Sequence, residues 1–411
     1  MALLEMHIDS AFGAHGADKA RYQHWLDTLT SAITRIRKTP KREAAPVLGL
    51  PSRTDDLTEI ESVAGTIRDG FSTLVVVGMG GSSLSGETLA AIAKPGNVAL
   101  RFIDNIDPYG MEEFTRTLDW RRAAFLVISK SGNTVETLAL LSVLLRHAKE
   151  AGLDVSRHFF VITITDGNPL HTIAKAHGMR VIAHDPDLGG RFSILSAVGL
   201  IPAAVAGLDI HALRAGAGRV LEDNGDAARS AALHRALMEK NIRVNVTMPY
   251  CDRLNALAGW YRQCWGESLG KCAEATTPVR ARGTTDQHSQ LQLYLDGPKD
   301  KLFTLMLLEN KGQGEPIGFP DGGDARLDFL KARSMGDLMA AQQRGTLDTL
   351  VRRGCPVRSF TLRELNEETL GGLLMHFMLE IMFTAELLGV NAFDQPAVEE
   401  SKLLALGYLA G

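Results

Sequence analysis

Residues 74–89 read LVVVGMGGSSLSGETL, and residues 125–138 read FLVISKSGNTVETL. In each stretch a short β-branched run gives way to glycines and hydroxyl side chains, then to an amphipathic helical pattern. The first-turn N–H groups of a helix lack internal acceptors, the helix dipole adds partial positive charge, and nearby hydroxyls add donors. Each stretch therefore has the layout of an anion cradle. Two in succession within one α/β unit point to a phosphate gripped from several sides. Gly81 and Ser82 lie in the first turn. Ser129, Lys130, Ser131 and Thr134 lie in the second, with Glu136 in the helix that follows.

Outward from these turns the pattern is that of a parallel sheet. Apolar runs at 74–78, 100–104, 124–129, 158–164 and 180–183 alternate with helix-length segments. Near-continuous Val, Ile and Phe runs imply strands covered on both faces. Such a doubly wound domain holds ligands at the carboxyl ends of its strands, where both turns fall. A second α/β series follows, with strands expected at 243–248, 301–308 and 357–362. Residues up to about 66 read as a mostly helical lead-in with a Pro/Arg-rich break from Lys38 to Arg53.

A chain of 411 residues is too long for one ordinary core, so at least two domains are expected. Its 45% hydrophobic and 22% charged residues are a soluble globular balance. The net charge of −4 and the lack of a basic tract argue against nucleic acid as a partner. Cys251, Cys264, Cys272 and Cys355 form no CxxC pair, so reduced, cytosolic thiols are expected rather than zinc or disulfides. The N-terminal residues carry early acids and no apolar core, so no secretory signal is expected. Leu370 to Val390 is membrane-like but contains His376, Glu380 and Glu386, and reads as a buried core helix; no membrane role is expected.

Other segments carry candidate chemistry. Gly78-Met79-Gly80 opens a dinucleotide fingerprint, and Asp104 ends the next strand, but position 83 is Ser83 rather than the third glycine. Arg191, in GGRFSIL, follows two glycines that let the backbone approach a ligand; it suits stabilisation of developing negative charge, or a structural ion pair. Glu267, in WGESLGK, is a reasonable general base if partly buried, because desolvation disfavours its charged form. Taken alone, a carboxylate at a helix end is more often solvated. His288 sits in the hydroxyl-rich GTTDQHSQLQL, where a capping or surface histidine is the plain alternative. Lys402 follows Glu399 and Glu400, so an intrahelical ion pair is its simplest role.

Taken in order, GMGGSS, SKSGNTVET, GGRFSILSAVGL, GESLGK, GTTDQHS and FDQPAVEESK resemble the motifs of the glucose-6-phosphate isomerase family. The resemblance implies two α/β/α sandwich domains of sugar-isomerase type around parallel-dominated sheets, with a C-terminal helical arm. It suggests a helical lead-in at 1–60, domains at 61–210 and 211–388, and an arm at 389–411. It implies reversible isomerisation of glucose 6-phosphate and fructose 6-phosphate through a cis-enediol(ate), without cofactor or metal. Glu267 would be the base, His288 and Lys402 would assist ring opening, and Arg191 would face the reacting oxygens. Gly81, Ser82, Ser129, Lys130, Ser131 and Thr134 would hold the phosphate, while Glu136 and Gln395 would line the pocket. A homodimer is implied too, with the histidine delivered from the partner subunit. Leu269 stands where the family more often has an amide, Thr285-Asp286 where it has Asn-Gly, and Ala397 and Ser401 where it has glycines. Three other readings are weighed against this one: an isomerase that also takes mannose 6-phosphate, a non-catalytic sugar-phosphate sensor, and a dinucleotide-dependent oxidoreductase. A sensor would need neither Glu267 nor His288, and the oxidoreductase would leave the second turn without a purpose.

Overall fold

The computed structural model describes residues 3–38, 45–319 and 323–411. Along the chain, β1 (Glu5–His7) is followed by β2 (Thr73–Val77), β3 (Ala99–Ile103), β4 (Ala123–Ile128), β5 (Phe159–Thr163) and β6 (Arg180–Ala183). Then come β7 (Val244–Pro249), β8 (Thr277–Arg280), β9 (Lys301–Leu308), the short pair β10 (Pro316–Ile317) and β11 (Arg333–Ser334), and β12 (Val357–Leu362). The strands build two five-stranded sheets.

The first sheet has the order β3-β2-β4-β5-β6, every pair parallel. Its strands are apolar on both sides because both sides are covered. Val75, Val77, Phe125, Val127, Phe159 and Val161 face one core, with Leu140, Leu141 and Leu144 of the helix Val135–Glu150. The alternate residues Leu74, Val76, Leu126, Ile128, Phe160 and Ile162 face the other, with Ile60, Val63 and Ile67 of the helix Leu57–Gly70. This is the two-residue period of a strand read twice, once into each layer. The order reverses between β2 and β4, which opens a crevice at their carboxyl ends. Both glycine/hydroxyl turns leave from those two ends.

The second sheet has the order β1-β12-β9-β7-β8, parallel except where β1 joins β12. Its parallel part repeats the first sheet's order, β8-β7-β9-β12 against β3-β2-β4-β5. The structure corrects the sequence reading here. The lead-in, expected to be mostly helical, also opens with strand β1, a three-residue element too short to show a period. β8 was also not foreseen; it is a half-exposed edge strand containing a proline. Residues 39–44 of the Lys38–Arg53 break lie outside the described residues.

One continuous core joins the sheets, running from Met6 through Phe192 and Trp265 to Ala392. Its centre is the helix Glu367–Leu388, long and apolar enough to cross a membrane but mostly buried inside the fold. The Asn366 side chain caps its start by accepting from Thr369 N–H, and left-handed Gly389 ends it. The acid within it is fully buried and paired. Glu380 forms an ion pair with Arg358, accepts from Tyr261 Oη at 2.6 Å, and has His234 Nε2 3.0 Å away and His376 Nε2 3.4 Å away. A buried charge is tolerated only with such partners. All four cysteines are free.

Candidate active site

The second turn is pinned from behind. Gly132 adopts φ +65°, conformational space that glycine reaches without cost. Its carbonyl accepts from Leu170 N–H, and the Lys130 carbonyl accepts from Ile164 N–H and Thr163 Oγ1. These bonds tie the turn to the loop after β5. Within the turn, Ser129 and Thr134 share a hydroxyl–hydroxyl hydrogen bond of 3.0 Å. Thr134 is the N-cap of the helix Val135–Glu150, yet its hydroxyl makes no cap bond. Ser131 Oγ accepts from Asn133 N–H. The Lys130 ammonium makes no hydrogen bond among the described residues; burial pushes its pKa down, against the pull of Asp187 and Asp185. A half-buried cation and hydroxyls that do not cap the helix they precede are an arrangement that an incoming anion can complete.

The first turn meets the second half of the chain. Gly80 is left-handed at φ +55°, and a Cβ there would lie 2.7 Å from Gln263 Nε2. A Cβ on Gly81 would lie 2.4 Å from the Gly190 carbonyl oxygen, so only glycine lets this turn pack on the segment that carries Arg191. Ser82, half-buried, starts the helix Gly81–Ala90.

Arg191 is the hub. It sits in the short helical turn Gly190–Phe192 with its side chain almost wholly buried. Its guanidinium donates from Nε to Ser268 Oγ at 2.8 Å and from Nη1 to Glu267 Oε2 at 3.2 Å and Gln395 Oε1 at 2.7 Å. Nη2 donates to the carbonyls of Ala392 at 2.7 Å and Asp394 at 3.0 Å. Five N–H groups thus have five acceptors, the full capacity of the group. The Arg191 carbonyl in turn accepts from Trp260 Nε1 at 3.1 Å and Cys264 Sγ at 3.2 Å. Trp260, Cys264 and Glu267 all belong to the helix Asn255–Leu269.

Glu267 lies in the last turn of that helix, its side chain 32% exposed. The buried Trp265, two residues earlier, anchors the helix, its Nε1 donating to Thr276. The second carboxylate oxygen accepts from Gln263 Nε2 at 2.8 Å, one helical turn back. Gln263 is a site residue that the sequence reading missed; its signal was the four-residue spacing to Glu267, which places both on one helix face. Leu269, standing in place of the amide, is fully buried in the core.

The structure brings Gly81, Arg191, Glu267 and Gln395 together, and forms the Ser129–Thr134 turn at the neighbouring strand end. It does not bring His288 or Lys402 to Glu267 within the chain. His288 is exposed on the short helix Thr285–Ser289 and its side chain makes no hydrogen bond among the described residues. Its loop is nevertheless held firmly. Asp286 accepts from Arg282 N–H at 2.6 Å, Gln287 accepts from Tyr250 Oη at 2.9 Å, and Thr284 is held at φ +62°, a strained value for a β-branched residue. Lys402 pairs with Glu399 at 2.7 Å, three residues earlier on the exposed helix Glu399–Ala410. Glu136 is exposed in the first turn of its helix.

Fold and site together define an α/β protein with two anion-cradle turns at a strand-order reversal and an arginine-paired carboxylate beside them. Residues 57–297 match the phosphoglucose isomerase family model. The chain is 35% identical over 410 residues to a glucose-6-phosphate isomerase of Carboxydothermus hydrogenoformans, covering 92% of this chain and 88% of that one. It is 36% identical over 423 residues to a glucose-6-phosphate isomerase of Thermus thermophilus, covering 99% and 100%. The crystal structure of a glucose-6-phosphate isomerase from Chlamydia trachomatis shares the fold, with a TM-score of 0.80 at 19% identity over 100% of this chain and 89% of that one. This chain belongs to the phosphoglucose isomerase family.

Proposed function

We propose that the chain catalyses the reversible isomerisation of glucose 6-phosphate and fructose 6-phosphate, an aldose–ketose interconversion of glycolysis and gluconeogenesis. The observation that carries this reading is the Glu267 carboxylate held at both oxygens, by Arg191 and Gln263, beside two phosphate-type turns. In this reading the phosphate lies against Ser82, Ser129, Lys130, Ser131 and Thr134. It takes no part in bond making; its binding energy orients the carbons that react. Glu267 takes the proton from C2 and returns it to C1, through a cis-enediol(ate). Arg191 fixes the carboxylate's direction. Its donors are fully used, so it acts on the enediolate through its charge, or through Nη1 if Gln395 yields. Gln395 and Glu136 complete the pocket wall.

Ring opening needs a donor at the ring oxygen and an acceptor at the anomeric hydroxyl, the parts given to His288 and Lys402. Neither reaches Glu267 within one chain, so the reading includes a cytoplasmic homodimer with shared sites. The helix Glu399–Ala410 supports it: Leu403, Leu404, Tyr408 and Leu409 are 68%, 55%, 84% and 77% exposed, an apolar surface that a partner subunit would cover. The reading divides the chain into domains at 61–210 and 211–388 with an arm at 389–411; the first sheet falls inside one domain and the parallel part of the second, without β1, inside the other. No metal or cofactor is part of it. The test is a coupled assay of purified protein with fructose 6-phosphate, following glucose 6-phosphate through its dehydrogenase in the presence of EDTA. Steady turnover supports the assignment. No turnover from folded, dimeric protein overturns it.

A further inference from the structure

A second cationic site lies at the opposite pole of the first sheet. Basic residues stand immediately before or at the start of three of its strands: Arg121 and Arg122 before β4, Arg157 and His158 before β5, and Arg180 opening β6. The topology places β4, β5 and β6 side by side, so these residues gather at the amino ends of the strands. There Arg121, Arg157, His158 and Arg180 line a cleft of about 650 Å³ with Thr66, Asp69, Phe71 and Ser156, a volume within the ordinary range of small-molecule sites.

The basic charges in this cleft outnumber the acidic ones. Arg121 and Arg157 make no side-chain hydrogen bond or ion pair among the described residues, and Arg180 donates only to the neutral Ser62 Oγ at 3.3 Å. Asp69 is the one lining carboxylate. Asp154, which feels the Arg157 charge, accepts from Ser156 N–H and Oγ. The floor is ordered: His158 Nδ1 donates to the Ala123 carbonyl at 2.8 Å, and its ring packs edge-on to Phe71. Three like charges gathered around one concavity raise its potential and concentrate anions there. Guanidinium groups match the oxygens of a phosphate in pairs.

We propose that this cleft is a second anion site, separate from the substrate site, that takes a phosphate monoester or a condensed phosphate. The strands between the two sites are five or six residues long, so the sites are about 20 Å apart at a rise of about 3.3 Å per residue. One anion cannot reach both.

The test is calorimetric titration of the whole protein with pyrophosphate at about 0.15 M salt, where weak surface attraction is screened. An alditol 6-phosphate, which cannot isomerise, fills the substrate site throughout. One pyrophosphate per chain should still bind. The double variant Arg157→Gln/Arg180→Gln should weaken that binding about tenfold or more with kcat unchanged; Arg121→Gln alone serves if the double variant does not fold. A parallel titration with glycerol phosphate separates monoester from condensed phosphate as the preferred ligand. Binding that vanishes once the alditol phosphate is present, or that the arginine variants leave unaltered, overturns the proposal.

Discussion

Asn168 occupies the space that a side chain on Gly132 would need: a Cβ there would lie 1.7 Å from Asn168 Oδ1. The same amide oxygen accepts from His171 N–H at 2.9 Å, while Nδ2 donates to the Ile164 carbonyl and to Thr163 Oγ1. Asn168 therefore wedges the turn between Ser129 and Thr134 against the end of β5. Gly132→Ala has to displace it from left-handed backbone as well. The variant should lose about 1–3 kcal/mol of stability and raise KM about tenfold, with a smaller effect on kcat. Melting curves and steady-state kinetics check this; an unchanged KM would refute the wedge.

Substitution of Thr134 distinguishes the proposed phosphate contact from helix capping. Its hydroxyl is engaged with Ser129 and not with the helix N–H groups. Thr134→Val should thus raise KM for fructose 6-phosphate several-fold at nearly constant Tm. Lost Tm with an intact KM would return the residue to a capping role.

Glu267→Gln keeps the shape and the contact with Arg191 but removes the proposed base. Its kcat should fall by about 10²–10⁴, while sugar-phosphate binding by calorimetry stays within a few-fold of the parent. Comparable loss of binding would sink the assignment of Glu267 as the base.

Arg191→Lys tests whether the five-bond hub is needed or merely its charge. An ammonium has three donors, so Glu267, Gln395 and the carbonyls at 392 and 394 cannot all be held. We expect kcat to drop more than KM rises, with faster hydrogen exchange at 391–395. Retention of both would mean that charge alone suffices.

The buried Glu380 cluster sets the response to acid. Burial pushes the Glu380 pKa up, but Arg358 and His234 outweigh it and hold it well below the usual carboxylate range. Burial also pushes His234 down. Both groups bind protons more readily in the unfolded chain, so stability rises with pH and is lost as pH falls. The loss should begin near about pH 6.5, where an unfolded histidine protonates, and continue through the carboxylate range. Tm measured from pH 7 to 4 should fall, and less steeply in His234→Asn. A flat profile would contradict it.

Much of this was legible in the chain. Strands β2, β4 and β9 are long apolar runs whose period survives without tertiary help, and both glycine turns declare themselves by residue type. β1 and β8 were invisible because three or four half-exposed residues at a sheet edge carry no usable pattern. Gln263 was missed although it stands one helical turn before Glu267, since a glutamine inside an apolar helix gains meaning only once Glu267 and Gly80 lie against it.

By itself the sequence determined the layered α/β class and the two glycine and hydroxyl turns, and it singled out Glu267 and Arg191 as candidates, because periodicity and residue chemistry are local properties. Only the tertiary structure decided that Arg191 joins Glu267 to Gln395 across 76 and 204 residues of chain. It alone left His288 exposed and gathered Arg121, Arg157 and Arg180 around one cleft. Those relations depend on strand order and helix packing, which bring together residues that nothing in their local sequence connects.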